Sequence, residues 1–231
     1  MLYVVATPIG NLGDLTFRAL EALRGVDFIA AEDTRHSSRL LSHYEIRKPL
    51  VSLHDHNESQ RVPELAARLE QGENAALISD AGMPLISDPG FRLLQECIAR
   101  GLPYEILPGP SAVTTALAGS GLPCHAFFFG GFLPQKSGRR ARELERALAR
   151  DCTSIYFESP HRLVKSLAAL AESAPDRRAC VARELTKTFQ EYRKGSVSEL
   201  QAHYEAHPPK GEITLLVAPA SGKEPADPEE D

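Results

Sequence analysis

The chain has 231 residues, a net charge of −5, 4 cysteines and no tryptophan. That length suits one large or two small domains with substantial cores. No run approaches the roughly eighteen consecutive apolar residues of a membrane span, and an acidic balance argues against a general nucleic-acid or DNA binder. Of the −5, −4 belongs to the tail, where Lys223 faces Glu224, Asp227, Glu229, Glu230 and Asp231, and −1 remains for the body. That Pro/Glu/Asp-rich tail, 219–231, lacks apolar periodicity and is expected to be disordered. The cysteines Cys97, Cys124, Cys152 and Cys180 form no Cys-x-x-Cys pair and no cluster with histidine, so they read as reduced core residues. The first residues enter an apolar run without the basic and apolar regions of a secretory signal, which predicts a cytoplasmic protein.

Strand-like apolar runs fall at 2–6, 26–31, 50–53, 75–79 and 104–107, and then at 126–129, 154–158, 179–182 and 213–217. Between them, apolar residues recur at helical spacing, as in Leu65 and Leu69 after Pro63, or Leu163, Leu167 and Leu170. This alternation predicts two α/β domains with mainly parallel sheets. The Gly/Pro density of Leu117–Pro123 places the boundary there, giving domains 1–117 and 118–218.

Three loops leave the ends of strand-like runs in similar style. Thr7-Pro8-Ile9-Gly10-Asn11-Leu12-Gly13-Asp14 follows the first run, Asp80-Ala81-Gly82-Met83-Pro84-Leu85-Ile86-Ser87-Asp88-Pro89-Gly90 the fourth, and Pro108-Gly109-Pro110-Ser111-Ala112 the fifth. Glycine admits close backbone approach and proline fixes loop shape in advance. Open α/β sheets bind ligands at the carboxyl ends of their strands, so the three loops together point to a small-molecule site.

Common nucleotide motifs are missing. No Gly-x-Gly-x-x-Gly follows a strand, and Gly130-Gly-Phe-Leu-Pro-Gln-Lys136-Ser137 fails as a phosphate loop because Gln135 stands in place of the second glycine. His54-Asp55-His56 has two histidines but no third ligand at metal spacing, so no metal is expected.

Polar groups gather at other strand ends: Glu32-Asp33-Thr34-Arg35, His54 to Glu58, Glu158-Ser159-Pro160-His161-Arg162 and Arg183-Glu184-Leu185-Thr186-Lys187. Helix caps account for Asp33, Ser59 and Ser159, but not for arginines and histidines recurring at strand ends. Such groups suit a polar substrate. Lys136, Arg139, Arg140, Arg142, Arg146 and Arg150 form a basic helix, either a solvated face or a phosphate-binding patch.

Thr7–Asp14, Ala31-Glu32-Asp33-Thr34-Arg35, Ser79–Gly90, Pro108–Ala112 and Glu158–Arg162 together resemble one family, the bacterial 16S ribosomal RNA (cytidine-2′-O)-methyltransferases of the tetrapyrrole methylase, or class III methyltransferase, superfamily. The resemblance runs from Leu2 to about Pro219. It implies two α/β domains with S-adenosylmethionine in a cleft between them, a homodimer, and methylation of a cytidine ribose in the decoding region of 16S rRNA or the 30S subunit. On this resemblance the cofactor is expected against Pro8, Ser79, Asp80, Ala81, Gly82, Met83, Pro84, Ser87, Pro108, Ser111 and Ala112. Porphyrin-methylating relatives read Gly-Asp-Pro where this chain has Gly82-Met83-Pro84, which argues against a tetrapyrrole substrate.

Methyl transfer from a sulfonium is an in-line displacement, and a ribose hydroxyl needs a group to take its proton. Asp33, His54, His161 and Lys187 are the candidates, with Asp33, Lys187 and His161 expected to act in catalysis. Arg35, His54, Arg162, Arg183, Arg139 and Arg140 are expected to hold the RNA, because the guanidinium fork suits phosphate.

Overall fold

A computed structural model of the chain describes residues 1–220 and divides them into two compact units, Met1–Ser111 and a second that begins at Ala112. The acidic tail expected over 219–231 lies, apart from Pro219 and Ala220, outside the described residues.

The first unit runs β1 (Leu2–Val5), α1 (Phe17–Gly25), β2 (Phe28–Ala31), α2 (Thr34–His43), β3 (Leu50–Ser52), α3 (Glu58–Glu70), β4 (Ala75–Ile78), α4 (Phe91–Ala99) and β5 (Tyr104–Leu107). Its five strands are all parallel, in the order β3-β2-β4-β1-β5. β2 and β4 are buried along their whole length. Phe28 and Ala30 pack in one core with Leu2, Leu65 and Leu77, while Ile29 and Ala31 pack in another with Val5, Leu23 and Ile78. Burial on both faces is why these strands read as continuous apolar runs rather than alternating ones. From β1 the chain leads toward one edge of the sheet, and from β4 toward the other. Connections diverging from neighbouring strands mark a topological switch point, where open α/β sheets form a ligand crevice.

The second unit runs α5 (Ala112–Ser120), β6 (Phe127–Phe132), α6 (Ser137–Ala149), β7 (Thr153–Glu158), α7 (Leu163–Ala171), β8 (Arg178–Arg183), β9 (Glu191–Ser196), α8 (Val197–Ala206) and β10 (Ile213–Val217). Its sheet has the order β6-β7-β10-β8-β9. Here the expectation of a mainly parallel sheet is corrected. Only β6–β7 is parallel, and β10 lies antiparallel between β7 and β8, which in turn pairs antiparallel with β9. The alternation of apolar runs reveals strands but not their direction, and the polar edge strand β9 has no apolar run to reveal it.

Leu144, Leu167, Leu200 and Tyr204 from α6, α7 and α8 cover one face of this sheet. On α5, Gly119 leaves room for Tyr192 of β9, whose ring lies 2.2 Å from where a Cβ would stand. The Tyr192 hydroxyl donates to the Thr115 carbonyl at 3.1 Å. Because α5 packs on this sheet, the division falls at Ser111/Ala112, ahead of the Leu117–Pro123 segment expected as the boundary. Leu117 and Ser120 are buried residues of that helix.

Cys97 and Cys180 are buried as expected, whereas Cys124 is exposed and Cys152 partly so. No helix among the described residues is long and apolar enough to cross a membrane.

Candidate functional site

In the first unit, two of the three loops expected to hold the cofactor are stitched together at the switch point. Thr7 and Gly82 exchange backbone hydrogen bonds, N–H to O at 2.9 and 3.0 Å, and the Thr7 hydroxyl donates to the Ser79 carbonyl at 3.2 Å. Ser79 closes its own loop by donating to the Gly82 carbonyl at 3.3 Å. Pro8, Ser79, Gly82 and Pro84 are buried, Asp80 and Met83 partly buried, and Ala81 and Ser87 exposed. Leu85 and Ser87 have positive φ of 75° and 69°. Non-glycine residues held there store backbone strain, a recurrent feature of ligand loops. The far end of the loop is pinned by Glu58, 6 % exposed, which accepts from the Gly90 N–H at 2.7 Å.

Gly82, at φ +85°, faces its neighbours rather than open space. A Cβ there would lie 3.3 Å from Ile9 Cγ2 and 3.8 Å from the Pro110 carbonyl. Its glycine is therefore needed for the close approach of the three loops.

Beyond β4, the rim at β2 and β3 is acidic. The Asp33 N–H donates to Asp80 at 3.2 Å, which joins the two strand ends. Asp33 itself caps α2 through the Arg35 N–H at 2.8 Å and is forked by the Arg35 guanidinium. Hydrogen bonds from Arg35 hold its carboxyl down at about 2, so Asp33 is suited to positioning and poorly suited to proton acceptance. Glu32 is different. Burial, and then Asp88, Asp80, Asp55 and Asp33, push its carboxyl up to about 7. Burial likewise raises Asp88 to about 6, opposed by a hydrogen bond with Ser79. Neither Glu32 nor Asp88 stood among the expected catalytic residues. Only the strand order brings Glu32, Asp55, Asp80 and Asp88 together, and no spacing in the sequence signals it. A carboxylate rim beside these loops has the charge to face a cationic sulfonium such as that of S-adenosylmethionine.

On the same rim, the His54 backbone N–H donates to Asn57 at 2.9 Å, and its Nδ1 is buried without a partner. The His54 and His56 rings lie 6.0 Å apart, and among the described residues no group of three or more His, Cys, Asp or Glu side chains could hold a metal ion.

In the second unit, Glu158 of β7 and Arg183 of β8 both pair with Ile213 of β10, so the segments after β7 and β8 share one rim. His161 is exposed there. Arg162 bridges the buried Glu158 at 2.8 Å, and Arg183 is engaged with Glu191 at 3.1 Å. Lys187 Nζ donates to Glu184 and Glu212, both at 2.9 Å. Burial opposes its charge, but these two bonds prevail and raise its pKa, so Lys187 keeps its proton. On α6, Arg139 and Arg142 are exposed, but Arg140 is not available to RNA. It is 8 % exposed on the buried face with Leu144 and Ala147, and its Nη1 donates to the Gln135 carbonyl at 3.2 Å. Helical phase, which a count of arginines ignores, turned this one inward.

The chain matches the family model described as Tetrapyrrole (Corrin/Porphyrin) Methylases over residues 1–201. It is 52 % identical to the "Ribosomal RNA small subunit methyltransferase I" of Mesorhizobium japonicum, over 98 % of this chain and 78 % of that protein. It is 48 % identical to the protein of the same name from Thermotoga maritima, over 96 % of this chain and 99 % of that one. Among solved structures it resembles a diphthine synthase with a TM-score of 0.74 at 15 % identity, over 94 % of this chain and 89 % of the other, which is a likeness of fold. The chain belongs to the tetrapyrrole (corrin/porphyrin) methylase family, whose methyl donor is S-adenosylmethionine.

Proposed function

We propose that this chain methylates small-subunit ribosomal RNA, and that the acceptor is the 2′-hydroxyl of a cytidine ribose in the decoding region of 16S rRNA. The observation that carries the reading is about half identity, along nearly the whole chain, to proteins named for methylation of that subunit. The choice of the cytidine 2′-oxygen follows the motif resemblance from Thr7 to Arg162. Met83 supports an RNA rather than a porphyrin acceptor, since it puts a thioether where porphyrin-methylating relatives carry a carboxylate.

S-adenosylmethionine supplies an activated methyl group with a good leaving group. The residues proposed to hold it are Pro8, Ser79 to Pro84, Ser87, Pro108, Ser111 and Ala112. Their part is to fix the donor so that the hydroxyl oxygen meets the methyl carbon at about 3–3.5 Å, in line with the bond that breaks. Arg139, exposed on α6, is free to reach phosphates, whereas Arg35 can do so only while sharing its fork with Asp33. Arg162 and Arg183 can do so only while sharing their forks with Glu158 and Glu191. The reading also includes a homodimer, checked by sedimentation equilibrium, and a cytoplasmic location, where its RNA substrate is made.

The test is transfer of tritiated methyl to 30S particles, to naked 16S rRNA and to a porphyrin precursor. Incorporation into the particle or the RNA supports the proposal. Incorporation into the porphyrin alone overturns it.

A further inference from the structure

Methylating a hydroxyl requires a proton acceptor, and two of the expected catalytic groups are committed elsewhere. Asp33 is committed to the α2 cap and to Arg35, and Lys187 is held as a cation by two carboxylates. Glu32 follows the last residue of β2, next to β4 and its loop. Its side chain is partly buried, and among the described residues it has no hydrogen-bond donor and no ion pair. Groups facing it are all acidic: Asp80 and Asp88 from the loop after β4, Asp55 from the loop after β3, and Asp33 from its own strand end. Arg35, a cation on that side, is turned onto Asp33. A carboxylate held half-dry and unpartnered beside the cofactor loops has its lone pairs free for a ligand.

We propose that Glu32 is the general base of the transfer, accepting the proton of the acceptor hydroxyl. This rests on the reading that a ribose hydroxyl is methylated. As the hydroxyl oxygen bonds to the methyl carbon, the carbon–sulfur bond breaks and its electron pair stays on sulfur. The hydroxyl proton passes to a Glu32 carboxylate oxygen. The site begins with a carboxylate and a sulfonium and ends with a carboxylic acid and a neutral thioether, so charge and atoms balance. A carboxyl group that ionises near neutral pH is matched to this work. Asp88 acts as a positioning residue, because its charge helps to hold Glu32 in that range.

Single-turnover methyl transfer to 30S particles, followed between about pH 5 and pH 9, tests the assignment. The wild-type rate should rise with pH and level off above about 7. Glu32→Gln should slow transfer by roughly 10²–10⁴-fold and abolish the rise, with S-adenosylmethionine affinity by calorimetry unchanged within about threefold. Asp88→Asn should move the rise to lower pH. A Glu32→Gln chain that binds the donor yet transfers within about threefold of wild type, with the rise intact, overturns the assignment while leaving the function standing. A wild-type chain that methylates neither 30S particles nor 16S rRNA overturns the function, and the base with it.

Discussion

The Asp33 backbone N–H donates to the Asp80 carboxylate at 3.2 Å, which ties the end of β2 to the loop that follows β4. Through this bond the loop expected to hold the methyl donor and the acidic rim expected to receive the acceptor share one framework. Replacing Asp80 by Asn keeps an acceptor oxygen, whereas Ala strands the Asp33 N–H. Asp80→Ala should therefore cost about 1 kcal/mol more than Asp80→Asn in thermal or denaturant unfolding. Asp80→Asn should also lower the pH at which activity rises, because Asp80 is one of the charges that raise Glu32.

Glu58 holds the far end of the same loop. It is 6 % exposed, bonds the Gly90 N–H at 2.7 Å, and has Arg92 at 3.7 Å. Glu58→Ala should destabilise the fold by about 1–3 kcal/mol through the stranded N–H, and it should loosen S-adenosylmethionine binding in calorimetry. Gly90→Ala should act on the same hinge from the other side. Its φ is +110°, and the new methyl would stand 2.5 Å from Leu77 Cδ2. Unfolding midpoints should fall in both variants.

Glu32 should show opposite effects on activity and stability. Its carboxyl ionises at about 7 in the fold against 4.5 ordinarily, so folding favours the protonated form. The resulting penalty is absent below pH 4.5, grows as pH rises, and is complete above about 7. Glu32→Gln removes it. The variant should be more stable than wild type at pH 8 by about 1 kcal/mol, after allowing for solvent screening of a partly exposed group, and no more stable at pH 4. Thermal unfolding at the two pH values checks both the sign and the window.

The basic helix divides by helical phase. Arg139 and Arg142 are exposed, Arg146 and Arg150 pair with Glu143, and Arg140 is buried. Replacing Arg139 and Arg142 by Gln should weaken RNA binding and reduce its salt slope by about 1–2, with donor affinity unchanged. Arg140→Ala should instead lower the unfolding midpoint, since it empties a packed site beside Leu144.

Much of this architecture is legible in the sequence because buried parallel strands are continuous apolar runs. β4 (Ala75–Ile78) and β10 (Ile213–Val217) fall almost where their runs predict them. β9, Glu-Tyr-Arg-Lys-Gly-Ser, was missed because an edge strand with a solvated face carries no such run. Strand direction in the second sheet was also invisible, since an antiparallel β10 is as apolar as a parallel strand would be. At the site, the Gly/Pro loops announce themselves through backbone-forming residues. Glu32 does not, because its distinction from Asp33 lies in what surrounds it. Arg35 serves the Asp33 carboxylate, while Glu32 faces Asp55, Asp80 and Asp88, residues brought near only by the order β3-β2-β4.

The most direct measurement follows the methyl group to its atom. A methylated 2′-oxygen cannot attack the adjacent phosphate, so that one linkage survives alkali while its neighbours are cleaved. After transfer of tritiated methyl to 30S particles and alkaline hydrolysis of the extracted 16S rRNA, the label should appear in a dinucleotide whose 5′ residue is cytidine. Label recovered instead in mononucleotides would mean methylation of a base, and would contradict the account of a ribose hydroxyl activated at this site.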